Sequence, residues 1–488
     1  LAGKREQLLI QDEAAPVVTK RRFRLLALAA NPTWWALAGS LVLAALYGRV
    51  ALLNLGAGVV GGDLDGYENL WNDYWVRTAL LDLHRNPFYT DYLYYPTGIS
   101  LRYHTLNPLN GLFAIPLWPL LGSVASTNLK FLLSMALTTF CAYLLIKDLT
   151  GKALVSFAGA AVFTYANDQL LGFYSFGQAE KLSQWWLPLY LFFIFRAAQR
   201  PRWGWYMAAA VLTLLAMSLT DWQFVLYAVL ITVGYFVFNL FTRQSWAAKR
   251  AIFLKLAGIG VIWLAIVWFP LLGPMLKEAS ENPWLSVSEQ SDSRSRALSD
   301  FFEIGLGNPG YLVLALTLAG LFLLWRRRPS TEERRSLWFW LIAGLAAAVL
   351  SLGPRLKLVQ SSTDETTGIP LPYALLYKLP VLSIGRDPGR FYMIALTGFS
   401  ILLAFALREL LPVLIQFLST RFHPRLRSSS FILHPSSFIL VILAIALGGF
   451  VVNAGEVRID PPDWPQFYYE LAQDKSDYAI MELPLFTE

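Results

Sequence analysis

The sequence predicts an all-α polytopic membrane protein of about eleven transmembrane helices, with amphipathic surface helices in its first exterior loop. A small exterior α/β segment is expected to start at its C-terminal end. Three observations carry this expectation. The 488 residues contain 18 Trp, 32 Phe and 22 Tyr, and their mean hydropathy is +0.47, outside the range of soluble globular chains. Apolar runs long enough to cross a hydrocarbon core of ~30 Å recur along the chain. The Lys and Arg behind the net charge of +7 sit mostly in short loops between those runs, where they set orientation. The basic balance therefore points to a membrane, with no nucleic-acid partner.

Residues 1–32 read as a cytoplasmic basic tail, because the charged region ending in KRRFR is long and no small-residue cleavage site follows the first apolar run. The transmembrane body is expected over 33–452. Its runs lie at 33–55, 127–147, 154–172, 184–198, 203–220, 222–242, 252–273, 309–325, 336–353, 391–411 and 431–452. The stretch NPLNGLFAIPLWPLLGS, 107–123, is broken by three prolines and two glycines and reads as re-entrant or surface-lying. Charge supports that choice. If 107–123 does not cross, one face carries about 24 of the Lys and Arg against about 7 acids, and the other about 16 against about 26. The first face is then cytoplasmic, and the loop 57–126 and residues 453–488 are exterior. The repeated SSFIL within 428–440 reads as a neutral duplication, and the single Cys141 as a small buried apolar residue.

In the first exterior loop, ENLWNDYWVRTALLDLH spaces its apolar and aromatic residues as a helix lying on the bilayer surface does. Beyond 453, an amphipathic helix is expected at 465–474 and a strand at YAIMELPL, as the opening of a longer exterior segment.

Polar residues gather on the exterior face. Asp63, Asp65, Glu68 and Asp73 fall within eleven positions just after the first apolar run. His104, Asp168, Gln178, Glu180, Lys181, Asp221, Arg386, Asp387 and Arg390 join them at exterior helix ends and loops. Carboxylates crowded beside a low-dielectric surface have their pKa raised, which suits a base. The same oxygens suit a divalent cation such as Mg or Mn, held by Asp63 and Asp65, and the sequence leaves base and metal both open. Arg386 and Arg390 in SIGRDPGRF can hold an oxyanion or simply reach for the interface. Lys181 is a second cation for a phosphate, unless Glu180 beside it neutralises it. His104 suits an acceptor, a phosphate or a structural hydrogen bond. Asp168 and Asp221 sit where an acid is either functional or a helix cap. No P-loop, dinucleotide fingerprint or zinc spacing occurs.

The acidic cluster after the first span, the amphipathic helix, the stretch NPFYTDYLYYPTGISLRYHTLNPL and the helix ending in YLLIKDLTGK together resemble the GT-C superfamily of polytopic glycosyltransferases. The likeness is to its protein O-mannosyltransferase and lipid A aminoarabinose-transferase types. QWWLPLYLFF and LPVLSIGRDPGRFYMIAL are similar to loops of bacterial members.

The resemblance implies a bacterial cytoplasmic membrane enzyme that moves a sugar, with inversion, from a polyprenyl-phosphate donor to an acceptor on the exterior face. It implies that an Asp of the first exterior loop is the base. The matching positions are Asp65 and Asp63, with Asp65 favoured by its place six residues before Trp71. The superfamily more often shows a DE pair or a single Asp where this chain has D-L-D. Glu68, His104, Glu180, Lys181, Asp221, Arg386 and Arg390 are the expected substrate-binding set, and the partners are the lipid-linked donor, membrane lipids and an acceptor left open. Two other readings remain: a GT-C-like shell without catalysis inside a larger complex, and a lipid or solute transporter. The transporter reading expects polar groups at mid-membrane, whereas here they gather at exterior ends.

Overall fold

The computed structural model describes residues 31–200, 203–243, 245–282, 294–302, 310–359, 366–376, 387–421, 459–460, 466–471, 473–474 and 476. The basic tail 1–30, the last apolar run with its SSFIL repeat, and the strand at YAIMELPL lie outside them. Helices occupy each of the other ten apolar runs, because long apolar stretches must satisfy their backbone groups internally in lipid. Among the described residues four are long and apolar enough to cross a membrane: Ser123–Thr150, Trp222–Thr242, Trp246–Glu281 and Pro388–Phe417. Shorter apolar helices lie at Pro32–Tyr47, Ala153–Tyr165, Trp205–Ser218 and Leu314–Arg326. The chain is thus a multi-pass helical membrane protein.

Local chemistry sets the helix ends and departs from the expected boundaries in three places. The first run starts where Asn31 accepts from Thr33 N–H at 3.0 Å with Pro32 in the first turn, and it breaks at Gly48 into Pro32–Tyr47 and Arg49–Leu53. The run at 154–172 divides into Ala153–Tyr165 and Asp168–Ser175 because Asn167 caps the second piece by accepting from Leu170 N–H. The run at 252–273 extends to Trp246–Glu281 through a π turn at Trp268–Leu272, where Pro270 interrupts the ladder. The stretch 107–123 forms two short helices, Pro108–Ala114 and Trp118–Leu121, so it does not cross as one helix.

Among the described residues the two largest buried apolar clusters join the helices of the body. One joins Ser123–Thr150 to Trp186–Gln199, Trp205–Ser218, Trp222–Thr242, Thr331–Ser351 and Tyr392–Arg421. The other joins Pro32–Tyr47 to Ser123–Thr150, Ala153–Tyr165 and Asp168–Ser175. In lipid, such contacts depend on close packing of small residues.

The first exterior loop corrects one expectation. Helix Tyr67–Arg77 buries Trp75 and Val76, but also Asn69, Asn72 and Asp73. A helix with that face is docked on protein rather than lying on lipid, since buried amides and acids need protein partners. They have them: Asp73 pairs with Lys130 on the long helix Ser123–Thr150 at 2.6 Å and accepts from Thr127 Oγ1 at 2.8 Å. Burial raises the Asp73 carboxyl pKa and Lys130 opposes that shift.

The four strands among the described residues are two residues each. β2, Tyr89–Thr90, pairs antiparallel with β3, Ile99–Ser100. β1, Val59–Val60, pairs antiparallel with β4, Ile459–Asp460. The second pairing brings residues from the two ends of the chain side by side.

Candidate active site

The acidic turn follows β1 directly and is positioned by buried amides. Asn128 Oδ1 accepts from Val60 N–H at 3.1 Å, while its Nδ2 donates to Leu55 O and Gly58 O at 2.9 and 2.8 Å. Three bonds from one side chain therefore fix the approach to the π turn Gly62–Gly66, which carries Asp63 and Asp65. Gly61 (φ +65°) and Gly177 (φ +72°) let this turn lie against residues 176–178. A Cβ at Gly61 would sit 2.5 Å from the Phe176 carbonyl carbon, and one at Gly177 would sit 2.5 Å from Val60 O. Asp65 N–H donates to Phe176 O at 3.1 Å, and Asn69 Nδ2 to Gly177 O at 2.9 Å. Gly177→Ala combines a strained left-handed conformation with a backbone clash. It is expected to lower stability by about 1–3 kcal/mol in detergent melting curves.

The three acids of the cluster with described side chains take separate partners. Asp65 accepts a hydrogen bond from Gln178 Nε2. Glu68 accepts from Thr105 Oγ1 and lies 3.4 Å from His104 Nε2, while the imidazole stands edge-on to Trp71. Asp73 is withdrawn into its buried pair with Lys130. The side chain of Asp63 and the whole of Arg386 lie outside the described residues. Among the described residues no three His, Cys, Asp or Glu side chains form a metal-ligand group.

Four segments remote in sequence meet at the next layer. Lys181 lies in the short helix Ala179–Leu182 that follows Gln178, and Gln184 lies just beyond it. Asp221 and Gln223 start helix Trp222–Thr242, and Arg390 stands in the 3-10 turn before the last described span. With Gln169, Phe173, Phe224, Tyr227 and Met393 they line one cavity of about 10 Å³, room for roughly one water molecule. Asp65 lies close enough to Lys181 for its charge to favour the ammonium.

Arg390 is engaged on several sides. Its Nε lies 2.9 Å from Asp387 Oδ2 and its Nη1 3.7 Å from Asp221 Oδ2. It also donates to Gln223 Oε1, and its guanidinium faces the Phe173 ring at 5.4 Å. Asp221 makes two contacts. It caps its helix by accepting from Gln223 N–H at 2.8 Å, and it faces the cation. Asp168 pairs with Arg296, whose guanidinium stacks 3.8 Å over the Tyr392 ring. Gly389 N–H donates to Arg294 O at 3.0 Å, which fastens that segment to the 387–390 turn.

Glu180 and Lys181 are 3.7 Å apart, with Glu180 4% exposed. Burial pushes the Glu180 carboxyl up to about 7. Lys181 opposes that shift most, Asp221 adds to it, and Arg390 opposes it. Burial, with Arg390 next, lowers Lys181, while Glu180, Asp65 and Asp221 oppose. Both shifts run toward the neutral forms, because burial penalises each charge more than its partner repays.

A carboxyl raised by folding binds its proton more tightly in the native state. Its contribution is full below the unfolded pKa near 4.5 and is lost as pH rises through about 7. Glu180→Gln is therefore expected to match the parent protein near pH 4 and to exceed it in stability by roughly 3 kcal/mol at pH 8. Melting temperatures across that pH range test it.

The residues that sequence reasoning passed over are the buried amides. Besides Asn128 and Asn69, Asn107 donates to Asn69 Oδ1, Asn110 to Ala179 O and Ser183 Oγ, and Asn167 to Gln184 Oε1. Their signal is a carboxamide inside or beside an apolar run, where an unpaired amide is costly.

No protein-family model matches the sequence, and no curated protein matches it. Solved structures do. The Archaeoglobus fulgidus oligosaccharyltransferase in its apo form aligns with a TM-score of 0.51 at 14% identity, covering 90% of this chain and 57% of that one. The same enzyme tethered to an acceptor peptide containing the NVT sequon aligns at 0.49 and 15% identity, with the same coverage. This chain spans a little over half the length of that enzyme. At such identity the likeness is one of fold alone.

Proposed function

We propose that the protein is a membrane glycosyltransferase that moves a sugar from a polyprenyl-phosphate donor to an acceptor on the exterior face. The observation that supports this reading most is the meeting of Lys181, Asp221 and Arg390 around one cavity, with the charge of Asp65 acting on Lys181. Glycosyl transfer needs a base on the acceptor, cations on the departing phosphate and a body that accepts a lipid tail. Asp65, with Asp63 in the same turn, takes the proton as the acceptor attacks the anomeric carbon. The bond from that carbon to the phosphate oxygen breaks, and the charge left on the phosphate is met by Arg390 and Lys181, with Arg386 close to Arg390 in sequence. Gln178 orients Asp65. Because Arg390 is paired with Asp387 and Asp221, donor phosphate must compete with those carboxylates for it. Eleven crossings, with the N-terminus cytoplasmic and residues 453–488 exterior, belong to the same proposal.

One observation favours a second reading. A cavity with room for about one water, beside an arginine already engaged by two carboxylates, also suits a GT-C-like shell that serves a larger complex without catalysis. Transfer assays on a panel of radiolabelled polyprenyl-phosphate sugars separate the two. Transfer that disappears in Asp65→Asn or Asp63→Asn supports the enzyme. No transfer from any donor by the parent protein supports the shell.

A further inference from the structure

The expected bilayer-surface role of helix Tyr67–Arg77 is excluded by its burial, yet an aromatic surface of that kind exists a few residues further on. The hairpin of β2 and β3 exposes Tyr89, Tyr92, Tyr94 and Tyr95, with Tyr94 73% and Tyr95 68% accessible. Between 89 and 100 the only charged residue is Asp91, and it is paired with Arg85 at 3.1 Å. The surface is therefore aromatic, hydroxyl-bearing and close to neutral.

Its height relative to the membrane follows from what it is tied to. Tyr103 Oη donates to Met275 O at 2.7 Å, Ser100 Oγ to Glu278 Oε2 at 2.9 Å, and Arg102 Nη1 lies 3.6 Å from the same oxygen. Met275 and Glu278 belong to the end of the membrane-crossing helix Trp246–Glu281. The apolar stretch 251–272 in that helix rises ~33 Å, enough for the hydrocarbon core. Whatever the bend at Pro270, Met275 and Glu278 lie no more than about 5 and 9 Å beyond Leu272. That is the headgroup zone, where tyrosine is enriched. On the same helix Phe269 is 82% exposed and Leu276 is also exposed, as a lipid-facing helix requires.

We propose that the 89–100 hairpin is an interfacial anchor, seated in the headgroup layer of the exterior leaflet through Tyr92, Tyr94 and Tyr95. The partner is the lipid surface. The anchor is also wired to the acidic turn. Tyr92 packs on Trp75 with ring centroids 5.2 Å apart, and Trp75 Nε1 donates to Pro87 O at 2.8 Å. Trp75 lies on the helix that begins where the Asp65 turn ends, so the height of the hairpin fixes the height of the turn above the bilayer. This inference rests on the membrane fold and not on glycosyl transfer.

The test uses the full chain in phosphatidylcholine–phosphatidylglycerol vesicles, in a Cys141→Ala background. Tyr94→Cys and, separately, Tyr95→Cys carry a polarity-sensitive fluorophore. A blue-shifted emission is expected, quenched several-fold more by lipid bearing a nitroxide near the headgroup than by aqueous iodide. Two labels that emit as in water, yield to iodide and ignore the lipid nitroxide overturn the anchor and leave the patch to a soluble partner. Using two sites keeps the test decisive if one variant does not fold, and its failure leaves the transfer assay untouched.

Discussion

Asp65→Asn is expected to lower sugar transfer by about 10²–10⁴-fold, the contribution of a well-placed general base. The substitution preserves shape, and an amide oxygen in place of the carboxylate still accepts from Gln178 Nε2, the contact that orients this side chain. What it removes is the ability to take a proton. The loss should therefore fall on kcat with the fold intact, so melting temperature and donor binding stay near those of the parent protein. Asp63→Asn is the necessary companion, since both acids ride on the same Gly62–Gly66 turn. Full transfer in both variants would refute the assignment of the base, whatever the fate of the fold.

Lys130→Met should destabilise the protein by about 3–5 kcal/mol, because it strands a buried carboxylate. Asp73 is buried and paired with Lys130 at 2.6 Å, with Thr127 as the other donor. Burial already pushes its proton affinity up, and Lys130 is the main opposing influence. Without the ammonium, Asp73 must either hold an unpaired charge or take up a proton. The double variant Asp73→Leu/Lys130→Met removes both charges and is expected to regain most of the stability, because replacing a buried pair by apolar groups is often near neutral. Chemical denaturation of the two variants in detergent checks the prediction. A single variant as stable as the parent would show that the pair does not hold helix Tyr67–Arg77 to the body. The contrast with Asp65 is useful: these two acids, eight residues apart in one cluster, should affect different observables, transfer for the first and stability for the second.

Much of the architecture was legible because its cause is local. An apolar run in lipid must form a helix, so ten runs read from the sequence reappear as helices. The break at 107–123 was visible in its prolines and glycines. Burial of Tyr67–Arg77 was not, since an amphipathic pattern has the same spacing whether its partner is lipid or protein. Asn69, Asn72 and Asp73 on that inward face carried the distinguishing information, for an amide or acid turned inward needs protein donors and acceptors. The pairing of residues 59–60 with 459–460 was also out of reach, because strand partners four hundred residues apart are chosen by where the helices deliver them.

The sequence by itself determined a membrane body, the distribution of its charges and the set of polar residues from which a site can be built. Which of those residues share a site was decided only in three dimensions. Coulomb interactions and hydrogen bonds depend on separations of a few ångströms. Helix packing sets those separations, placing Asp65 near Lys181, joining Arg390 to Asp387 and Asp221, and taking Asp73 away to Lys130.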